Sequence, residues 1–218
     1  MHDKELKTVN FQYQARYHQI GEFTQQTTDL WLVCHGYGQL ANYFINHFRV
    51  LEAPNRVIVA PEGLNRFYLQ GFQGRVGATW MTKEDRLTDI HNYVAYLDAV
   101  FAAVTQGKDL STIKVHLVGF SQGAATVSRW IVDSSFEFNR LILWAGIFPP
   151  DLNIPKGKRR LQDHEVLFVY GDEDPFLKKD DRVQEQRSIA RVLGVEPRII
   201  KFHGEHVIDR ETLLSVAQ

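Results

Sequence analysis

The chain has 218 residues, with 25 lysines and arginines against 26 aspartates and glutamates and a net charge of −1 at pH 7. That length suits one α/β domain with a sizeable core, spanning residues 1–218. The balanced charge steers the protein toward neither nucleic acid nor an anionic membrane, and no apolar run approaches the ~20 residues of a membrane span, so stable membrane insertion is not expected.

In chain order, Met1 to Asn10 is polar and charged, unlike a secretory signal. Residues 8–19 alternate, with Val9, Phe11, Tyr13, Ala15 and Tyr17 on one parity, which predicts a half-buried strand pairing antiparallel at a sheet edge. Asp29 to Cys34 is nearly continuous in apolar residues, as a central strand covered on both faces should be. Cys34 is the single cysteine, so an internal disulfide is excluded, and a reducing, cytoplasmic setting is expected. The Gly-punctuated loop His35-Gly36-Tyr37-Gly38 follows, then a helix over 41–51 and a short strand over 56–60. From Glu62 to Met81 no regular period is visible. A loop of that length in a compact domain is more often functional than accidental. The clearest helix carries the stripe Leu87, Ile90, Val94, Leu97, Phe101 and Val104, with Thr82 and Asp85 near its cap and Gly107 at its stop.

Residues 113–118 form the next apolar strand and run into Gly119-Phe120-Ser121-Gln122-Gly123, after which Ala124 to Val132 reads as a helix. Strand, Gly-x-Ser-x-Gly and helix in that order is the setting of a nucleophile elbow. Glycines at 119 and 123 suit a turn too tight for side chains at its flanks. Ser121 is then expected on a strained backbone, with the Gln122 amide available to a developing oxyanion. Three more strands are expected at 140–145, 166–170 and 198–202. Between the first two lies a Pro-rich excursion, 147–164, whose cluster Lys156, Lys158, Arg159 and Arg160 reads as a solvated loop. Helices are expected at 182–193 and 210–217. Such alternation argues for a doubly wound, mostly parallel sheet with helices on both faces. Sites in such sheets lie beyond the carboxyl ends of the strands, here the loops after Cys34, Val118, Tyr170 and Phe202.

A serine hydroxyl needs a base to take its proton, and a carboxylate to orient that base. The chain supplies Ser121, then Asp172 or Asp174, then His203 or His206, each just after an expected strand. Asp174 is preferred because it lies further out in its loop, and His206 because it follows the Gly204-Glu205 turn while His203 still abuts its strand. The second oxyanion donor falls to the amide of Tyr37. Among the aromatic residues, Phe72, Trp80, Phe148 and Phe176 are candidates to line a pocket for the substrate. His203 and His206 have the spacing of a metal pair, but no third ligand joins them, so no metal is expected.

These motifs resemble the α/β-hydrolase carboxylesterase and phospholipase family that includes acyl-protein thioesterases. The residues that carry the likeness are His35-Gly36-Tyr37-Gly38, Gly119-Phe120-Ser121-Gln122-Gly123-Ala124, Gly171-Asp172-Glu173-Asp174-Pro175 and Gly204-Glu205-His206-Val207-Ile208. The resemblance implies an α/β-hydrolase fold and a serine hydrolase of carboxylic esters or thioesters that needs no cofactor. It assigns Ser121, Asp174 and His206 to the triad and Tyr37 and Gln122 to the oxyanion hole. Gln39 departs from the family loop, which often carries an acidic residue there. A small-molecule ester or acyl substrate is the expected partner, and a homodimer is compatible with the sequence. The competing readings are a hydrolase-fold binding protein with vestigial chemistry and a peptidase on the same fold.

Overall fold

Segments such as Leu30–Cys34 and Leu141–Trp144 are apolar at every position, so both faces of their strands need cover. A computed structural model, which describes residues 5–177 and 180–218, supplies that cover with helices on both sides of one sheet. The elements in order are β1 (Tyr17–Ile20), β2 (Asp29–Cys34), α1 (Ala41–Phe44), a 3₁₀ segment (Ile45–Leu51), β3 (Arg56–Pro61), β4 (Asn65–Tyr68) and β5 (Val76–Thr79). They continue as α2 (Arg86–Thr105), β6 (Lys114–Phe120), α3 (Gln122–Asp133), β7 (Arg140–Trp144), α4 (Ile154–Leu161), β8 (Glu165–Gly171), α5 (Asp180–Val192), β9 (Arg198–Phe202) and α6 (Arg210–Val216). Seven strands form the main sheet in the order β1-β3-β2-β6-β7-β8-β9. Only β1 runs antiparallel, with Tyr17 opposite Pro61. The other pairings are parallel, and β4 and β5 form a separate antiparallel hairpin. This is the α/β-hydrolase architecture.

Because successive side chains of a strand point to opposite faces, each buried strand feeds two cores. Leu30, Leu32 and Cys34 of β2 join Leu117 and Leu141 under Tyr93 and Leu97 of α2 and Val127 and Trp130 of α3. Trp31 and Val33 join Val118, Ile142 and Trp144 under Phe44, Phe48 and Leu213. The sheet is therefore clamped from both sides, and its strand ends are rigid platforms for the loops that follow. Among the described residues, no helix is long and apolar enough to cross a membrane.

Several local expectations change. The alternation over 8–19 yields a strand only from Tyr17 onward, and Val9 and Phe11 are exposed because no neighbouring strand lies beside them. Residues 1–4 of the polar Met1–Asn10 stretch lie outside the described residues. The helix expected over 41–51 is one α turn followed by a 3₁₀ segment. The unpatterned stretch 62–81 contains the β4–β5 hairpin, and the excursion 147–164 contains α4, capped by the Asn153 side chain on the Lys156 amide. Its basic residues are spoken for in part: Lys156 pairs with Asp133 and Arg160 with Glu137. The cap of α2 is Asp85 in a left-handed conformation at φ 44°, without a side-chain cap bond, and Leu87 is exposed at the helix start.

Candidate active site

Ser121 stands at the carboxyl end of β6, where the chain reverses into α3. Its backbone, at φ 54° and ψ −116°, lies in a region that non-glycine residues avoid at a cost of about 1–3 kcal/mol. Tertiary structure enforces the strain. The Ser121 amide donates to the Trp144 carbonyl of β7 at 2.9 Å, and the Ala124 amide returns to the Ser121 carbonyl at 3.0 Å. The flanking glycines have no room for a side chain. A Cβ at Gly119 would lie 2.3 Å from the Gly123 carbonyl oxygen, and one at Gly123 only 2.2 Å from the Cys34 carbonyl oxygen. The turn is thus wedged between β2 and its own helix, and the elbow geometry follows from that squeeze.

Asp174 and His206 come from the loops after β8 and β9. Their strands are neighbours, so the loops meet. Asp174 is fully buried, and His206 Nδ1 lies 2.7 Å from its Oδ2. The other carboxylate oxygen, Oδ1, accepts the Phe176 amide at 2.8 Å. Both oxygens are therefore used, and the carboxylate can only accept from Nδ1–H, which leaves Nε2 with the lone pair. The imidazole sits between two aromatic rings, Phe120 at 4.9 Å and Phe176 at 4.8 Å between centroids. Phe120 directly precedes Ser121, so the histidine lies beside the elbow.

Asp172 and His203 are spent elsewhere. Asp172 accepts the Gly204 amide at 3.2 Å and faces His203 Nδ1 at 3.3 Å. This cross-tie joins the β8 and β9 loops. The two histidines of the 203–206 spacing thus go to different carboxylates.

The loop after β2 reaches the elbow from the other side. A Cβ at Gly36 would be 3.2 Å from Ser121 Cβ, so the loop packs against the Ser121 side chain with little room to spare. Gln39 Oε1 accepts the Gly36 amide at 2.8 Å, and Gly38 donates to the Ala78 carbonyl at 2.8 Å. Among the described residues, no loop or cap hydrogen bond uses the amides of Tyr37 or Gln122, so both backbone donors are unspent. The Tyr37 ring itself is exposed and rests on Phe67 at 5.2 Å.

His35 anchors this loop. Its Nε2 accepts the Gly63 amide at 2.9 Å, which fixes the proton on Nδ1, where it is donated to the Gly36 carbonyl at 2.8 Å. Burial pushes its pKa down to about 4, so the ring is neutral at neutral pH. The His35 carbonyl accepts the Trp80 indole N–H at 2.8 Å. Cys34 beside it is fully buried, and burial pushes its thiol pKa up, which removes it as a nucleophile.

The aromatic candidates separate. Phe176 is exposed beside His206 and faces the site. Phe72 is 96% exposed near the tip of the β4–β5 hairpin, away from the elbow. Trp80 and Phe148 are buried in the core, Trp80 on Tyr93 and Phe148 on Phe168, and hold structure in place. Three roles were not visible in the sequence. The Gln122 carboxamide accepts the Trp80 amide at 3.2 Å and donates to the Met81 carbonyl at 2.9 Å, which ties the elbow to the 79–81 strand end. Trp144 supplies its carbonyl to Ser121 and its indole N–H to the Val207 carbonyl at 2.8 Å, so one buried residue fixes both the elbow and the histidine loop. Glu62, nearly fully buried, accepts the Ala41 amide at 3.1 Å and pairs with Arg16 at 2.7 Å. Each depends on partners more than twenty residues away, which no local pattern marks.

The profile of the Phospholipase/Carboxylesterase family matches residues 15–218. No curated protein matches the chain by sequence. Among solved structures, the fold resembles acyl-protein thioesterase 2 of Zea mays at a TM-score of 0.70 and 15% identity, over 94% of this chain and 96% of that one. It also resembles a phospholipase/carboxylesterase from Dyadobacter fermentans, at a TM-score of 0.66 and 19% identity over 96% and 98% of the two chains. A carboxylesterase of Bacillus cereus follows at 0.65 and 12%, over 93% and 92%. Likenesses at such low identity speak for the fold, whereas the family match spans nearly the whole sequence: the chain belongs to the phospholipase/carboxylesterase family and is a carboxylic ester hydrolase.

Proposed function

We propose that the protein hydrolyses small-molecule carboxylic esters or thioesters through an acyl-enzyme on Ser121. His206 Nε2 takes the serine proton as the hydroxyl attacks the acyl carbon, and returns it to the leaving alcohol or thiol. Asp174 holds Nδ1–H and stabilises the imidazolium. The amides of Tyr37 and Gln122 donate to the oxyanion of the tetrahedral intermediate. Water, activated by the same histidine, then releases the acid. The whole chain acts as one domain, in the cytoplasm, without a cofactor. Phe176 contributes an apolar wall next to the histidine.

The observation that carries this reading is the buried Asp174–His206 pair at 2.7 Å, set beside a serine held at φ 54°. Neither feature stabilises the fold by itself: a buried carboxylate and a strained serine both cost free energy. Their joint presence is explained by chemistry. The test is turnover of p-nitrophenyl butyrate by wild type and Ser121→Ala, with circular dichroism of both. Turnover should vanish in the variant while its spectrum is unchanged. Retained turnover would sink the assignment.

A further inference from the structure

The β4–β5 hairpin is docked on the Tyr37 loop by two backbone bonds, Gly38 to the Ala78 carbonyl at 2.8 Å and Ala78 to the Gln39 carbonyl at 3.0 Å. Between the hairpin and α1 lies a cleft of about 630 Å³, lined among others by Gln39, Leu40, Tyr43, His47, Arg75 and Val76. Its wall at Gln39 is the side chain that holds the Gly36 amide, so the cleft opens beside the loop that touches Ser121. No acidic residue lines it. The two arginines of the hairpin differ. Arg66 is paired with the buried Glu62, whereas Arg75 has no ion-pair or side-chain hydrogen-bond partner among the described residues. The Arg75 carbonyl accepts the Leu69 amide at 2.9 Å, which fixes the backbone from which the guanidinium projects. His47 is exposed at the cleft rim, and its partial desolvation there holds its pKa below the usual imidazole range, so it adds a neutral polar group to this wall.

An unpaired guanidinium in a cleft without acids, next to a hydroxyl and a neutral imidazole, matches a group of one negative charge. Its planar fork fits a carboxylate in a bidentate way. We infer that this cleft is a subsite for a carboxylate carried by the substrate, so that the enzyme prefers acidic esters to neutral ones of equal length. Ala78 lies opposite Gln39, and Arg75 is three residues further along, roughly 10 Å at the strand rise. The chain length at which a carboxylate reaches Arg75 is therefore the quantity to vary. This rests on the esterase reading above and names its substrate class.

The test compares kcat/KM for the p-nitrophenyl monoesters of adipic, suberic and sebacic acid with the hexanoate, octanoate and decanoate. A second arm sets the acetate of ω-hydroxyoctanoic acid against octyl acetate, which puts the charge on the alcohol side. The acidic ester should be favoured about tenfold in one arm, with the advantage largest at one chain length and shrinking as salt is added. In Arg75→Gln the acidic-to-neutral ratio should fall to about one, and in Arg75→Glu it should invert in favour of trimethylammonium analogues. An acidic-to-neutral ratio near one in wild type, or one that Arg75→Gln leaves in place, overturns the inference. The esterase reading fails separately, if wild type turns over none of these esters or if Ser121→Ala still turns over the neutral ones, and the inference falls with it.

Discussion

Asp174→Asn isolates the orientation of the histidine from the presence of a polar group. Asparagine is nearly isosteric but offers one acceptor oxygen and one NH₂ donor where aspartate offers two acceptors. Both oxygens of Asp174 are engaged, Oδ1 by the Phe176 amide at 2.8 Å and Oδ2 by His206 Nδ1 at 2.7 Å. If the amide oxygen keeps the Phe176 bond, the NH₂ must face Nδ1. The imidazole then accepts there and carries its proton on Nε2, the nitrogen that should receive the serine proton. The reverse orientation sets donor against donor at a fully buried position, at a cost of about 1–3 kcal/mol. The first arrangement is cheaper, so the variant holds the wrong tautomer. A change of this kind in a serine-hydrolase triad lowers kcat by ~10⁴, or ~5.5 kcal/mol of transition-state stabilisation. The assay is kcat and KM for p-nitrophenyl butyrate, with a thermal melt to show that the fold survives. Turnover should fall by that factor with KM near wild type. A variant within a few-fold of wild-type kcat would refute the tautomer argument.

Trp144→Phe keeps an aromatic ring in the core but strips the Val207 carbonyl of its donor, a loss of about 1–3 kcal/mol. Since Val207 adjoins His206, kcat should drop about tenfold at similar KM; a lowered melting temperature with kcat intact would assign Trp144 to packing alone. Acid stability should depend on His35. The unfolded chain takes up this proton near pH 6.5, the folded one only near pH 4, because burial penalises the charged ring. Its contribution is therefore complete above pH 6.5 and is lost as the pH falls toward 4, up to about 3 kcal/mol. Urea midpoints at pH 7 and pH 5 should differ more for wild type than for His35→Gln, and equal slopes would remove His35 as the cause.

The elbow was legible because sterics forced glycine at two positions around one serine: a Cβ at Gly119 or Gly123 would lie 2.3 or 2.2 Å from a carbonyl oxygen. The buried strands were legible because parallel strands covered on both faces cannot hide polar residues. Asp174, preferred over Asp172 for its place in the loop, is the carboxylate that meets His206, at 2.7 Å. The hairpin in 62–81 was not legible, because β4 and β5 are short and their pairing is decided by docking on Gln39 and Gly38. Aromatic residues misled for a related reason. Trp80 and Phe148 have the chemistry of pocket walls, yet Trp80 is consumed by the His35 carbonyl and Phe148 by the core. The alternation at 8–19 misled because a period of two states which faces a strand would have, without stating that a partner strand exists.

The central claim is that Ser121 is a nucleophile activated by His206. Incubation with a fluorophosphonate, followed by peptide mass spectrometry, tests it most directly. A single adduct on the peptide containing Ser121 is predicted, greatly slowed in His206→Ala, and unlabelled Cys34 under native conditions. Absence of the adduct in folded wild-type protein, or labelling that is unchanged in His206→Ala, would contradict the account.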